Sequence, residues 1–257
     1  MTILEKIKLH KKTAVAKAKQ AVSLKKLQQS KYYNRKCFSL YEYIERGNGV
    51  IAEFKRQSPS KGIINDQAKV QDVVLGYKRA GVSAVSVLTD THFFGGTNQD
   101  LIVARESINI PILRKDFIIS SYQIHEAKAI GADAILLIAA ILTQEEIITF
   151  TDLAHYLGLE VLFEIYNEQE LRLHIPEIRI VGINNRNLNT FEVDFENAIK
   201  LSRKLPKNTL KIAESGISDP NNIKMLRSKG FDGFLIGENF MKTTNPVLAC
   251  HEFIKKI

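Results

Sequence analysis

Short apolar runs recur along the chain from Gly49 onward, and each is followed by a polar or glycine-bearing turn and then a helix-like stretch. Their intervals of roughly 20 to 35 residues are typical of the βα period of a parallel sheet. Eight such units predict an α/β fold, a closed (β/α)8 TIM barrel, over an open doubly wound sheet. The runs are Val50–Lys55, Ala84–Thr89, Ile112–Lys115, Ala134–Ile138, Val161–Glu164, Ile180–Asn184, Leu210–Glu214 and Gly233–Gly237.

The residues between the runs support this interpretation. Four glycines precede runs by a few residues, as expected where a helix ends before the next strand: Gly81, Gly131, Gly158 and Gly230. A dinucleotide-binding sheet would need Gly-x-Gly-x-x-Gly after its first strand. Here the first run is followed by Ser-Pro-Ser-Lys-Gly, which excludes that alternative.

Residues 1–47 precede the first predicted strand and have mostly helical patterns, with no Pro or Gly linker before Gly47. We therefore predict an N-terminal helical extension packed on the barrel. Residues 1–257 are predicted to form one domain, a length that an α/β barrel commonly fills.

Charge is concentrated in the extension. The chain has a formal net charge of +8, yet residues 1–36 carry +10 and the remainder −2. A basic arm can bind nucleic acid or an anionic surface. The favoured interpretation is the solvated face of an amphipathic helix, since apolar residues approximate helical spacing and the segment lacks the interleaving of aromatic with basic residues that is typical of single-strand binders. We expect neither a nucleic-acid nor a membrane partner.

Composition indicates a globular protein in a reducing, cytoplasmic setting. Hydrophobic residues make up 45% and charged residues 25% of the chain, which is ordinary for a soluble protein. No apolar run is long enough to span a bilayer, and the N-terminus lacks a signal-peptide core. With Cys37 and Cys250 as the only cysteines, we expect no disulfide framework.

Polar side chains end five of the eight predicted strands. Residues two apart on a strand share a face, so Glu53 and Lys55 point to one side of an otherwise apolar run. In such barrels the carboxyl ends of the strands face the active site, so these residues should meet in one pocket. The strand-end segments are Glu53 and Lys55, Lys115-Asp116-Phe117, Glu164, Asn184-Asn185-Arg186 and Glu214-Ser215-Gly216.

The content of this pocket predicts a reaction type. Two lysines and three glutamates in one site can shift pKa values toward neutrality and supply both acid and base. The histidines are scattered, so no metal-ligand cluster is expected: His10, His92, His125, His155, His174 and His251. We predict proton transfer, dehydration or carbon–carbon bond formation without cofactor or metal. For Glu53 and Lys55 alone, a structural ion pair is the plainer alternative.

The turns after the seventh and eighth runs predict a phosphate site. In these barrels the anion lies against backbone N–H groups and a helix N-terminus at that position. Ser215, Gly216 and Gly237 occupy these turns. Tight turns with no ligand are the alternative.

Sequence blocks across essentially the whole chain resemble those of the indole-3-glycerol phosphate synthase family. The blocks are Ile51-Ala-Glu-Phe-Lys-Arg-Gln-Ser-Pro-Ser-Lys-Gly62, Pro111-Ile-Leu-Arg-Lys-Asp-Phe117, Gly182-Ile-Asn-Asn-Arg-Asn-Leu188, Ala213-Glu-Ser-Gly-Ile217 and Gly233-Phe-Leu-Ile-Gly237. The first is the most specific, and the Ala-Glu-Ser-Gly block is shared with other phosphate-binding barrels. The resemblance implies conversion of 1-(2-carboxyphenylamino)-1-deoxyribulose 5-phosphate to indole-3-glycerol phosphate, with loss of carbon dioxide and water, in tryptophan biosynthesis.

The resemblance also implies roles. Lys115 would be the general acid for the substrate carbonyl, and Lys55, Glu53 and Glu164 would share the other proton transfers. The remaining two catalytic candidates, Asn184 and Glu214, would support this network and bind substrate hydroxyl groups.

An anthranilate-bearing substrate needs a cation for its carboxylate and an apolar face for its ring. Arg186, aided by Ser58, suits the carboxylate because a guanidinium can bind it through two hydrogen bonds. Three apolar residues suit the ring: Phe94, Phe117 and Leu188. The turn residues named above, with Lys55 as a further candidate, would hold the phosphate.

Two positions depart from the family pattern. Residue 238 is Glu, an acid beside the predicted phosphate, so we assign a role only to its backbone N–H and expect the side chain to turn away. His92 stands where a lysine or another polar residue is expected, which leaves any contact there open.

Three other functions remain as alternatives. A class I aldolase-type barrel acting on a sugar phosphate would use Lys115 or Lys55 for a Schiff base. A nucleic-acid-binding protein would use the basic arm. An Amadori isomerase of a phosphoribosyl intermediate would need a Cys/Asp or Asp/Asp pair at strand ends. For the favoured function we expect a small phosphorylated substrate and a monomer or weak homo-oligomer.

Overall fold

Eight parallel strands close into a barrel, as the apolar runs predict. The computed structural model describes residues 2–187 and 192–257. Around the barrel the strand order is β1-β10-β9-β8-β7-β6-β5-β4, and β2 and β3 form a separate two-stranded hairpin. The strands are β1 (Val50–Phe54), β2 (Gln57–Ser58), β3 (Gly62–Ile63), β4 (Ala84–Leu88), β5 (Ile112–Lys115), β6 (Ala134–Ile138), β7 (Glu160–Ile165), β8 (Ile180–Asn184), β9 (Leu210–Glu214) and β10 (Gly233–Ile236).

Helices precede the barrel and connect its strands. They are α1 (Ile3–Ala21), α2 (Leu24–Gln28), α3 (Leu40–Arg46), α4 (Val70–Arg79), α5 (Thr91–Phe94), α6 (Asn98–Ser107), α7 (Ser121–Ile130), α8 (Gln144–Tyr156), α9 (Glu168–Leu171), α10 (Phe195–Ser202), α11 (Pro220–Ser228), α12 (Glu238–Met241) and α13 (Pro246–Ile254), with a 3₁₀ helix at Ala139–Ile141. The fold is therefore a (β/α)8 TIM barrel with an N-terminal helical extension.

Local sequence signals explain where several helices begin and end. Thr2, Thr97 and Thr143 each cap a helix and form a reciprocal capping box with an acid three residues later, which satisfies backbone N–H groups that have no partner inside the helix. Helix α7 ends at Gly131, whose φ of 97° is left-handed. Glycine adopts this conformation without a Cβ clash, so the chain can turn directly into β6.

The extension contacts both ends of the barrel. Near the carboxyl ends of the strands, Lys8 Nζ donates to the carbonyl of Ile141 at 2.5 Å. Along the side, the Tyr122 hydroxyl of α7 donates to the carbonyl of Val22 at 2.9 Å. At the opposite end, Asp133 accepts from Arg35 at 2.6 Å and from the Phe38 N–H at 2.8 Å. The first 46 residues thus run from one rim of the barrel to the other before β1 begins.

No helix in the described ranges is both long and apolar enough to cross a membrane.

Candidate active site

A cavity of about 370 Å³ opens at the carboxyl ends of the barrel strands. All six side chains predicted to be catalytic line it: Glu53, Lys55, Lys115, Glu164, Asn184 and Glu214. They come from strands far apart in the chain, and the barrel brings them together because every strand ends at the same rim. Glu53, Lys115 and Glu164 open onto this one cavity, as the sequence predicts.

Lys115 lies at the centre of the charge network. Its ammonium is 2.7 Å from Glu214 Oε2 and 3.0 Å from Glu164 Oε2. Burial by itself would lower the pKa of Lys115, but the carboxylates of Glu164, Glu214 and Glu53 outweigh it and hold that pKa above its ordinary value. Lys115 is therefore protonated at neutral pH.

Glu214 has a different environment from the other carboxylates. It is 2% exposed, and burial raises its pKa to about 7 in spite of the neighbouring Lys115. Within the described part of the chain, its Oε1 is buried without a hydrogen-bond partner. The end of this side chain lies against the backbone of Gly182, where a Cβ would overlap Oε1. Glu214 can consequently exchange a proton near neutral pH.

Glu53 and Lys55 form the ion pair that their shared strand face predicts, with 2.7 Å between Nζ and Oε1. Glu53 is 4% exposed and packs against Gly237, where a Cβ would overlap its carboxylate. The pair is at once a structural contact and part of the cavity wall, so its geometry alone leaves both alternatives open.

The end of β8 contributes the amide and guanidinium groups. Asn184 Nδ2 donates to Glu164 Oε1 at 3.2 Å, and its Oδ1 accepts from the Arg186 N–H at 3.0 Å. Arg186 lines the cavity, with its Nη2 3.5 Å from the Glu238 carboxylate. The Glu238 side chain thus lies against the cation predicted to hold the substrate carboxylate. The expectation that it turns away from the phosphate stays a prediction. Leu188 lies outside the described residues.

Two aromatic rings form an apolar part of the cavity. Phe94 from α5 and Phe117 after β5 have ring centroids 5.9 Å apart, and both line the cavity. Three aliphatic side chains of α1 line the same cavity: Ile3, Leu4 and Ile7. Ser58 also lies on the wall, with its hydroxyl 3.3 Å from that of Ser60.

The turn after β9 has an unusual backbone. Ser215 has φ of 69° and Gly216 has φ of 75°. A non-glycine residue in this region costs roughly 1–2 kcal/mol, and such outliers cluster at functional sites. Ser215, Gly216 and Gly237 all line the cavity. Gly237 is the N-cap of the four-residue α12.

His92 does not line this cavity. It lies on α5, where its ring stacks on His10 with centroids 4.5 Å apart. Its backbone carbonyl accepts a hydrogen bond from Gln57 Nε2 at 3.1 Å. The ring of His92 therefore contacts the N-terminal extension, through His10.

Comparison with known proteins identifies the family. The family model for indole-3-glycerol phosphate synthase matches residues 4–253. The chain belongs to this family. It is 47% identical to the indole-3-glycerol phosphate synthase of Bacteroides thetaiotaomicron over 256 residues, which cover 99% of this chain and 98% of that protein. It is 41% identical to the synthase of Endomicrobium trichonymphae over 247 residues, covering 95% and 96% of the two chains.

Solved structures show the same fold at low identity. The thiamine phosphate pyrophosphorylase of Pyrococcus furiosus has a TM-score of 0.61 at 14% identity, covering 83% of this chain and 96% of its own. A chain of the tryptophan synthase a2b2 complex of a hyperthermophile, Pyrococcus furiosus, has a TM-score of 0.61 at 13% identity, with coverage of 82% and 97%. At this level of identity the two structures show that the fold is shared, and nothing about activity.

Membership of the indole-3-glycerol phosphate synthase family makes the protein a lyase of tryptophan biosynthesis. In the described ranges, no group of three His, Cys, Asp or Glu side chains is arranged to hold a metal ion.

Sequence reasoning missed one charged residue beside the site. Lys11 belongs to the basic arm whose charges were expected to be solvated, yet it is 6% exposed and contacts two carboxylates, Asp90 and Asp116. Its position four residues from Ile7 and from Val15 places it on the buried stripe of α1. That spacing was the signal that could have identified it.

Proposed function

We propose that the protein closes the indole ring of 1-(2-carboxyphenylamino)-1-deoxyribulose 5-phosphate through acid–base catalysis by the cavity's lysines and glutamates. The family assigns the overall conversion to indole-3-glycerol phosphate. The observation that carries the proposed mechanism is Lys115, a partly buried ammonium placed between two carboxylates on the cavity wall. It supplies the proton that the substrate carbonyl oxygen needs when the ring carbon attacks the carbonyl carbon.

The remaining steps use the surrounding carboxylates. After the new carbon–carbon bond forms, the carboxyl group leaves as carbon dioxide and restores the aromatic ring. Loss of the hydroxyl group as water then needs one proton delivered and one removed. Glu53, Lys55 and Glu164 are the groups proposed to share these transfers, while Asn184 and Glu214 hold the network and bind hydroxyl groups of the substrate.

The shape of the cavity supports an orientation for the substrate. The ring would lie at the Phe94 and Phe117 end, because stacked aromatic carbon surfaces exclude water. The phosphate would lie at the backbone N–H groups of Ser215, Gly216 and Gly237, where the strained turn holds the donors in place. Arg186 and Ser58 would bind the anthranilate carboxylate, which must compete with Glu238 for the guanidinium.

The class I aldolase alternative makes the opposite demand on Lys115. A Schiff-base lysine needs a lowered pKa so that the neutral amine is populated, whereas the carboxylates around Lys115 raise its pKa. Sodium borohydride added with substrate distinguishes the two functions, because it reduces a Schiff base to a stable covalent adduct. Covalent trapping of Lys115 or Lys55 would favour the aldolase, and no trapping is expected.

The direct test is the turnover of the purified protein with the carboxyphenylamino-deoxyribulose phosphate, followed by indole fluorescence. Lys115→Ala should lower kcat by about 10²- to 10⁴-fold, the range for losing a positioned general acid, while circular dichroism shows an intact fold. Lys211→Ala is the matched control, since Lys211 lies on β9 at the opposite end of the barrel. Near-wild-type turnover by Lys115→Ala would remove Lys115 from the acid role.

We further propose a cytoplasmic monomer or weak homo-oligomer that binds neither nucleic acid nor membrane. The apolar stripe of α1 supports the absence of a membrane role, because that stripe is buried against the barrel. Light scattering of the pure protein measures the oligomeric state.

A further inference from the structure

Lys11 links α1 to two neighbouring strand ends. Its ammonium lies 2.8 Å from Asp90 Oδ2 and 2.6 Å from Asp116 Oδ1. The Asp90 and Asp116 side chains are 1% and 2% exposed. Buried charges of this kind are stable only when they are paired, so the three groups keep α1 at one place on the rim.

Each carboxylate also organises part of the cavity wall. Asp90 Oδ1 accepts from the Phe93 N–H at 2.7 Å and caps α5, the helix that carries Phe94. Asp116 Oδ1 accepts from the Phe117 N–H at 2.8 Å. Lys11 is therefore connected through Asp90 to the helix that carries Phe94, and through Asp116 to the backbone of Phe117.

The same lysine fixes the aliphatic wall. Ile7 lies one helical turn before Lys11, and Ile3 and Leu4 lie about two turns before it, so a fixed Lys11 sets where all three meet the cavity. Aromatic and aliphatic surfaces on this side thus depend on one ion-pair cluster. The phosphate-binding turns follow β9 and β10, which are separated from β4 and β5 by β1 on one side of the ring.

We propose that Lys11 is a positioning residue that assembles the apolar end of the cavity and thereby determines affinity for the aromatic part of the substrate. Lys11 touches no reacting atom in this proposal. It acts through Asp90 and Asp116 on Phe94 and Phe117, and through α1 on the aliphatic wall. The inference rests on the substrate orientation given under Proposed function.

A purely structural role for Lys11 makes a different prediction. In that case its loss would lower the melting temperature and leave the kinetic constants of the folded enzyme unchanged. If Lys11 positions the ring subsite, its loss raises KM for the whole substrate. Binding of inorganic phosphate, which engages only the β9 and β10 turns, should not change.

The test compares Lys11→Met with Lys12→Met, the adjacent exposed lysine of α1. For each variant, kcat, KM for the carboxyphenylamino-deoxyribulose phosphate and the inhibition constant of inorganic phosphate are measured. Lys11→Met should raise KM by about tenfold, as expected for partial loss of apolar contact, while kcat stays within about threefold. Lys12→Met should match the wild type, and Lys11→Arg should restore part of the affinity because it keeps the charge.

Asp90→Asn provides a second, milder variant, since asparagine still caps α5 but no longer carries the charge that faces Lys11. It should also raise KM, and it decides the question if Lys11→Met does not fold. An unchanged KM in a folded variant, or equal losses in phosphate and substrate affinity, would overturn the inference. Failure of the wild type to turn over the substrate would instead overturn the proposed function.

Discussion

The Glu214 carboxyl shows how burial and nearby carboxylates can keep an acid protonated to higher pH. Its pKa is raised from 4.5 to about 7, so between these pH values the native state binds more protons than the unfolded state. The free energy of unfolding therefore falls as pH rises through this interval.

Glu214→Gln should remove this pH dependence while keeping an acceptor for Lys115. Relative to the wild type, the variant should gain stability on the order of 3 kcal/mol between about pH 5 and about pH 8. Urea unfolding of both proteins at several pH values measures the difference. A constant difference across the pH range would contradict the assignment of this titration to Glu214.

At the same scale, the sequence predicted the polar side chains at the strand ends but not Lys11. Strand-end residues such as Lys115 and Glu164 can be placed in one site because the barrel topology dictates where strands end. The contact between Lys11 and Asp116 joins residues of a helix and a distant strand end, and no local pattern encodes that pairing. The contact between Glu238 and Arg186 was not predicted either, because it depends on the position of the Arg186 guanidinium.

At the scale of elements, β8 and β9 meet in a way that leaves no room for a side chain at residue 182. Gly182 and Glu214 lie on adjacent strands, with Asn184 opposite Glu214 in the register. A Cβ on Gly182 would overlap Glu214 Oε1. The absent side chain is thus what allows the carboxylate to reach Lys115.

Gly182→Ala should displace Glu214 and lower kcat by on the order of tenfold to a hundredfold, since small misplacements of catalytic groups are costly. KM should change little because neither end of the cavity is touched. Steady-state kinetics measures both constants. Gly233→Ala is the control, since its Cβ would approach Ile212 Cδ1 to 2.6 Å far from Lys115; equal losses of kcat in both variants would count against a role for Gly182.

The elements themselves were largely predictable. Apolar runs predicted all eight barrel strands, with ends that differ by about one residue, as expected for pattern-based boundaries. For example, the run Val161–Glu164 lies inside the observed strand Glu160–Ile165. Hairpin β2–β3 was not predicted, since its strands have two residues each and carry no periodicity.

At the scale of the whole molecule, Asp133 joins the extension to the barrel. It is fully buried. One oxygen accepts from Arg35 and the Phe38 N–H, and the other accepts from Arg105 at 2.7 Å and the Ile112 N–H at 2.8 Å. We propose that this connection makes residues 1–47 and the barrel one cooperative domain.

Asp133→Asn should lower the free energy of unfolding by about 3–5 kcal/mol, because an amide nitrogen would face donors and leave buried cations unpaired. Urea unfolding followed by fluorescence and by circular dichroism should still give one coincident transition. Asp152→Asn on the exposed face of α8 should change stability by less than about 0.5 kcal/mol. Two separate transitions in the wild type would contradict a single domain.

The rim contact between Lys8 and Ile141 has a consequence for synthesis of the chain. The two residues are 133 positions apart, and ribosomes add about 5–20 residues per second. On the order of ten seconds therefore pass between synthesis of the first helix and synthesis of the last part of its docking surface. The lysines of this helix carry most of the protein's surplus positive charge. Repulsion between the lysines of different nascent chains opposes association through the exposed apolar stripe during this interval.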